Sequence, residues 1–471
     1  MDLLSSGIII FFLPAALILY YGAGHFINRT AQKMILCTVS LMFYLFFGYI
    51  PFLIMFAEAL ADRYLSVKLS EKKSKALLAF AISLNVLVLL LFKYLNFFAG
   101  NVSLLAGKAF TPFDLIMPVG ISYITFSQIA YLVDSYRGET KNVSFIDYMI
   151  FVFFFPKIML GPICLHEDII PALNDKKRFK INPENMGIGL MQFTTGMAKK
   201  LLIVPHLSSS ADFGFAYIPN LTSADAWFFA IVYMLQIYLD FSGYCDIACG
   251  IAKLFNIDLP MNFDSPYKMI SVSDYWARWH LTLTRFLRKY IYFPLGGNRK
   301  GKFRTYVNVM IIFLISGFWH GANWTYIFWG GLHGLCMVFE KMFKKELEKI
   351  PTLIRWIVTA PVIALLWVFF RCETIGEAFE YIRKMFSFNS ILPSPVFCAS
   401  LDFNDVPFIQ QHLNIAMPLF VAAVYAGCVF IPNISRRKYK ANMFNLIVTI
   451  VLFALSFICI SDVTPFIYFK F

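Results

Sequence analysis

Residues 76–98 read ALLAFAISLNVLVLLLFKYLNFF, an apolar run of twenty-three positions that carries one formal charge, Lys93. A helix needs roughly 20 apolar residues to cross the hydrocarbon of a bilayer, so this run is long enough to span. Apolar windows recur on both sides of it, near residues 7–24, 34–57, 115–133, 145–164, 186–204, 226–248, 306–319, 323–343, 354–371, 415–431 and 443–460. The whole chain follows the same pattern: 471 residues, 59% hydrophobic and only 15% charged, with 53 Phe and 24 Tyr. Soluble domains sit nearer 45–50% apolar and about 25% charged. The expectation is an all-α polytopic membrane protein with about 11–12 membrane helices and re-entrant elements. It is read as one integral membrane domain over residues 1–471, with a core near 115–345 and C-terminal helices near 354–471. A β-barrel is excluded, because its strands alternate over about 10 residues instead of staying apolar for 20.

Charge adds orientation. The net charge of +13 needs no nucleic acid, because cytoplasmic loops of membrane proteins collect Lys and Arg. Segments 63–75, 176–180, 278–304 and 436–440 are basic and expected to be cytoplasmic, whereas 205–225 has no Lys or Arg and is expected outside. The apolar run 7–21 lacks a basic flank and a cleavage site, so it reads as a first membrane helix and not a removable signal. The aromatic segment 466–471 suits an interface. Nine cysteines are scattered, mostly within apolar runs and without a CxxC pair, and read as small core residues.

Residues 317–334, GFWHGANWTYIFWGGLHG, set His320 and His333 inside a deeply apolar stretch. An imidazole at membrane depth is costly unless it faces protein or a cavity, so its default reading is a functional site. Glycines beside His320 allow close approach of a ligand, Trp319, Asn323 and Trp324 wall it, and a neutral imidazole suits proton abstraction from a hydroxyl or thiol. For His333, a relay role and a hydrogen-bonding strut between packed helices are equally open. The pieces 306–319 and 323–343, interrupted at Gly317 and Gly321, are candidates for re-entrant or broken helices.

From Ser271, SVSDYWARWHLTLTRFLRKYIYFPLGGNR reads as an amphipathic helix. Tyr275, Trp276, Trp279, Leu283, Phe286, Leu287 and Tyr290 share one arc; Asp274, Arg278, Arg285, Arg288 and Lys289 lie opposite, with His280 at the edge. Ser271 with Asp274 resembles a capping box, and Pro294 with Gly296 and Gly297 stops the helix. Its basic face and the turn from Gly296 to Lys302 suit an anion, so Arg278, Arg285, Asn298 and Arg299 are donor-side candidates. Residues 236–246, QIYLDFSGYCD, place Asp240 and Asp246 at the end of an apolar span; six apart, they share no helix face unless the chain breaks at Gly243. Buried carboxylates of this kind are usually paired with a base, which favours a site-shaping role. No metal site is expected, and no nucleophile elbow, P-loop or dinucleotide fingerprint appears.

Taken together, the segments 117–123 (MPVGISY), the pairs Phe155-Pro156 and Gly161-Pro162, residues 238–246, Trp276-Ala277-Arg278-Trp279-His280, residues 295–299 (LGGNR), residues 317–321 (GFWHG) and residues 466–469 resemble the membrane-bound O-acyltransferase superfamily in its bacterial, alginate-type branch. Their order and spacing cover the chain from end to end. The resemblance implies a ring of membrane helices around a central funnel, with a tunnel from the cytoplasmic side to His320. It carries the essential role onto His320 and a second histidine role onto His280. Cys245 stands where serine is common, and Ile163-Cys164-Leu165-His166 replaces a more basic stretch. The implied activity is transfer of an acyl group, acetyl by preference, from a cytoplasmic thioester such as acetyl-CoA, with no tightly bound cofactor. The acceptor would be a cell-envelope or secreted polysaccharide. The implied setting is the inner membrane of a bacterium, with a separate extracytoplasmic serine-type (SGNH-like) transferase, membrane lipid and no nucleic acid as surroundings. Two alternatives stay open: D-alanyl transfer to teichoic acid from an acyl carrier protein, and a flippase without acyl chemistry.

Overall fold

The computed structural model describes residues 3–400, 412–436, 440 and 442–462; the terminal 466–471 segment and residues 437–439 of the last basic stretch lie outside them. Among the described residues every regular element is helical. Five helices are long and apolar enough to cross a membrane: Ile8–Phe26, Lys75–Leu105, Ser223–Leu254, Thr352–Arg371 and Leu413–Arg436, and Met443–Ile458 is a shorter apolar helix. The chain divides into two compact units. One comprises Met1–Met197, Tyr244–Met261 and Tyr439–Ala454; the other comprises Ala198–Gly243, Asn262–Lys438 and Leu455–Phe471.

The first unit opens with α1 (Ile8–Phe26) and α2 (Arg29–Leu45), whose start is capped by the Asn28 side chain accepting from Ala31 N. The apolar window at 34–57 is not one helix. Gly48, at φ +116°, turns the chain, a backbone conformation open to glycine and strained for other residues, and α3 (Tyr49–Glu71) follows. Ser74 caps α4 (Lys75–Leu105). After α5 (Ile121–Arg137), the window 145–164 also fails to span. Its helix α6 (Phe145–Phe153) stops after nine residues, because Pro156 has no N–H for the next helical bond and its ring collides with the carbonyl one turn back. Next come α7 (His166–Asn174) and α8 (Pro183–Ala198).

In the second unit lie α9 (Val204–Ala216) and most of α10 (Ser223–Leu254). The latter runs unbroken through Gly243, so the break that would have aligned Asp240 with Asp246 does not occur. The expected helix from Ser271 is also two pieces, α11 (Val272–Trp276) and α12 (Leu281–Leu287), with a π-turn over Arg288–Tyr292. Beyond it, α13 (Lys302–His320) and α14 (Trp324–Met342) are two full nineteen-residue helices, neither broken at Gly317. The reversal falls at extended Gly321. The hairpin exists because its glycines let backbone meet backbone: a Cβ on Gly317 would sit 2.3 Å from Tyr326 O, and one on Gly330 would sit 2.3 Å from Phe313 O. Gly331 faces ordinary contact, 3.6 Å from Leu314 Cδ2. Gly330→Ala is therefore expected to destabilise the protein by about 1–3 kcal/mol, read as a lower unfolding midpoint in detergent, while Gly331→Ala holds the wild-type midpoint. Equal midpoints would refute this account of the hairpin. The second unit continues through α15 (Thr352–Arg371), α16 (Ile375–Met385) and α17 (Leu413–Phe430).

Candidate active site

The site grows from the break in the expected amphipathic helix. At its start, Ser271 Oγ accepts from Asp274 N, the Asp274 carboxylate accepts from Ile270 N, and Glu340 of α14 accepts from Val272 N (2.6 Å) and Ser273 N (2.8 Å). These bonds pin α11 to α14. Five residues later the helix is interrupted, because the side chain and the main-chain carbonyl of Asn262 claim the N–H groups of the next turn. Asn262 Oδ1 accepts from Thr282 N at 3.3 Å and Thr282 Oγ1 at 2.9 Å, and Asn262 O accepts from Leu281 N at 2.9 Å. His280 takes up the strain at φ 46°, ψ 53°. A non-glycine residue in this region costs of order 1–3 kcal/mol, and such outliers gather at functional sites.

That geometry also sets the imidazole's tautomer. Because Thr282 N–H donates to it, the Asn262 atom facing His280 is oxygen, and His280 Nδ1, 3.0 Å away, is the donor. In a neutral ring the Nε2 lone pair is then available. Nε2 is buried with no hydrogen-bond partner among the described residues. His280 lies in the connection between the long helices, where burial pushes its pKa down to about 3, so the ring is neutral at physiological pH.

His320, the last residue of α13, is 3% exposed. Its ring centroid lies 6.5 Å from that of His280. Trp319 flanks both rings, at 4.9 Å from His320 and 6.0 Å from His280; Trp329 (5.3 Å) and Phe370 (5.4 Å) close around His320, and Phe241 (4.9 Å) stands edge-on to His280. Two imidazoles thus share one aromatic chamber, where low polarity strengthens any interaction with developing charge.

The other sequence candidates fall into different places. His333 is held by Trp276, whose Nε1 donates to His333 Nδ1 at 3.1 Å, and it packs against Trp329 at 4.8 Å. This hydrogen bond links the Trp-Ala-Arg-Trp-His segment to α14. Asp240, buried in α10, is paired with Lys200, also buried; the next residue, Phe241, is the wall of His280. Asp246 falls with the first compact unit. Asn323 caps α14 through Thr325 N and donates to Glu373 O at 2.8 Å, so it braces the hairpin turn. Arg278 is engaged by Asp274 at 2.9 Å and by Asp264 O, and its side chain stays partly exposed. Arg285 is half-buried, and Asn298 and Arg299 are exposed on the glycine turn. Buried Asn308 pins that turn by donating to Gly297 O at 2.8 Å.

Sequence reading missed Asn262, Asn308 and Asn433. Asn433 Oδ1 accepts from Ser265 N at 2.7 Å and Tyr238 OH at 3.0 Å, anchoring the segment that carries Asn262. The available signal was a lone amide in an apolar setting, as in Met261-Asn262-Phe263, since buried polar side chains are almost always partnered. Asn262→Ala would remove the side-chain acceptor shared by His280 Nδ1 and Thr282, an expected loss of about 1–3 kcal/mol in unfolding free energy. An unchanged denaturant midpoint would show that the cap is dispensable.

The sequence profile of the membrane-bound O-acyltransferase family matches residues 26–375. The peptidoglycan O-acetyltransferase of Helicobacter pylori is 34% identical over 98% of this chain and 95% of its own length. The probable alginate O-acetylase AlgI of Pseudomonas aeruginosa is 34% identical over 82% of this chain and 75% of its own. The teichoic acid D-alanyltransferase of Bacillus subtilis is 26% identical over 50% of this chain and 62% of its own. With a family match over most of its length, relatives aligned nearly end to end, and helices built to cross a bilayer, this chain belongs to the membrane-bound O-acyltransferase family.

Proposed function

We propose that this acyltransferase takes an acetyl group from a thioester on the side of its basic loops and delivers it across the membrane for O-acetylation of a cell-envelope polysaccharide. The observation that carries the reading is the pair of buried imidazoles 6.5 Å apart, one of them held with a bare Nε2. The names of the relatives aligned over most of the chain favour acetyl transfer to a glycan, whereas the D-alanyl-transferring relative covers only half.

In the proposed reaction His320 is the general base. It removes the proton of the attacking hydroxyl as that oxygen bonds to the thioester carbonyl carbon; the C–S bond then breaks and the thiolate leaves with the proton returned by the imidazolium. His280, neutral and fixed by Asn262, positions the attacking group or passes the proton. The thioester, acetyl-CoA by preference, is substrate and not a resident cofactor. Membrane lipid surrounds the protein, the setting is a bacterial inner membrane, and a separate extracytoplasmic serine-type transferase completes acetylation of the glycan.

Sealed proteoliposomes of one orientation, given radiolabelled acetyl-CoA on the basic-loop side, test this directly. Covalent acetyl product on the far side, increased by the serine-type partner, is the expected result. No product from folded protein with acetyl-CoA, but turnover with an acyl carrier protein as donor, would overturn the donor assignment. Movement of an envelope precursor without acyl chemistry would overturn the enzyme reading.

The low pKa of His280 adds a pH prediction. Its folded value lies below the unfolded value near 6.5, so the unfolded chain takes up the proton first. Stability is full above pH 6.5 and falls as pH drops below it, by about 1.4 kcal/mol per pH unit for this one proton. His280→Gln should flatten the acid side of the stability curve by that slope. An unchanged slope would mean that His280 charges in the folded state.

A further inference from the structure

The first unit holds a cluster that the acyl-transfer reading does not use. Glu58 and Asp62 stand one turn apart on α3, 6% and 0% exposed. Asn85 of α4, fully buried, donates its Nδ2 to Asp62 Oδ1 at 2.8 Å and to Ala81 O at 3.1 Å. That leaves four buried oxygens, Glu58 Oε1 and Oε2, Asp62 Oδ2 and Asn85 Oδ1, without a hydrogen-bond donor among the described residues.

The neighbours do not supply one. From α6, Tyr148 is fully buried and its hydroxyl lies within electrostatic reach of both carboxyls, with Gln128 of α5 beside it. From α2, Tyr44 donates its hydroxyl to Val119 O at 2.8 Å. Arg63, the nearest cation on α3 itself, is directed to Tyr131 OH at 3.1 Å and Val143 O at 2.6 Å. Asp147 of α6 is answered by Lys33 at 2.7 Å. Two carboxylates this close cannot both remain charged in a dry interior without a compensating positive charge. Carboxylate and amide oxygens are the ligand type that small hard cations select.

We infer that Glu58, Asp62 and Asn85 form a buried binding site for a small hard monovalent cation, a proton or a sodium-sized alkali ion competing for the same oxygens. It belongs to the first compact unit, whereas the histidine chamber belongs to the second, and it does not depend on the acyl-transfer reading.

Two measurements at neutral pH on the purified full-length protein in detergent test the site and separate the two cations. The infrared carbonyl stretch of a protonated carboxylic acid reads the proton; it is expected in wild type and lost in the near-isosteric E58Q/D62N variant. Equilibrium binding of sodium-22 reads the alkali ion; it is expected to saturate, to strengthen as pH rises and to be lost in the same variant. Either signal, abolished by the substitutions, upholds the site and names its occupant. Neither signal in folded wild type, or a signal that survives E58Q/D62N, overturns it. If the double variant does not fold, E58Q alone must still reduce whichever signal wild type shows, and an undiminished signal counts against the site.

Discussion

His320→Ala should lower acetyl transfer by at least about 10²–10⁴-fold, the usual share of a general base, with folded protein recovered at the wild-type yield. The expectation of retained folding comes from position. His320 closes α13 at the reversal of a hairpin whose helices are held by glycine contacts further back, at Gly317 and Gly330, so the imidazole is not what joins them. The expectation of lost activity comes from chemistry. Within the aromatic chamber of Trp319, Trp329 and Phe370 the titratable ring of His280 faces His320, and alanine supplies no base. The measurement is single-turnover transfer from labelled acetyl-CoA, with a thermal melt of the same sample. His320→Gln keeps much of the volume and the hydrogen bonding, and it should be nearly as inactive. A variant with full activity would remove His320 from the mechanism. Loss of activity together with loss of fold in both variants would show a structural role instead.

The second large effect concerns stability. Asp240→Ala should cost about 3–5 kcal/mol, because it removes the carboxylate paired with the buried Lys200 ammonium. Both groups are at most 2% exposed, so water cannot take over the lost partner. Activity should fall with stability, since Asp240 precedes the Phe241 ring that stands against His280. Replacing both partners with apolar residues of similar size, as in K200M/D240L, should recover much of the loss, because a buried ion pair often contributes little net stability over packed apolar side chains. Denaturant unfolding of the three proteins decides it. If D240A unfolds at the wild-type midpoint, the pair is not structural; if the double variant is worse than the single, the charges have a role beyond packing.

The residues that make these predictions differ in how plainly they stood in the chain. Membrane class follows from composition and from the length of runs such as 76–98, since hydropathy averaged over 20 residues is insensitive to tertiary detail. The order of the short segments around Asp240, His280 and His320 carried the family, and a deep apolar setting marked His320 without any fold in view. Pairing of Asp240 with a base was also legible, because a buried carboxylate needs compensation. What it pairs with was not, as Lys200 lies forty residues away in sequence and is brought to it by the packing of helices.

The break at His280 shows the limit most clearly. Apolar periodicity across 271–290 describes a continuous helix, and its buried arc is real, with Tyr275, Trp276, Trp279, Leu283, Phe286 and Leu287 all inside. Periodicity reports which side of the chain faces the interior; it cannot report that Asn262, twenty residues upstream, takes the N–H of Thr282 and forces a left-handed residue between two short helices. The same limit hid the engagement of Arg278 by Asp264 O and of Asp62 by Asn85. By itself the sequence determined a helical membrane protein of the O-acyltransferase family and the two histidines on which its chemistry is proposed to rest. Only the tertiary structure decided the tautomer of His280, the hydrogen bond that holds His333 to Trp276 and the pairing of Asp240 with Lys200, because hydrogen bonds are chosen by distance in space and not by distance along the chain.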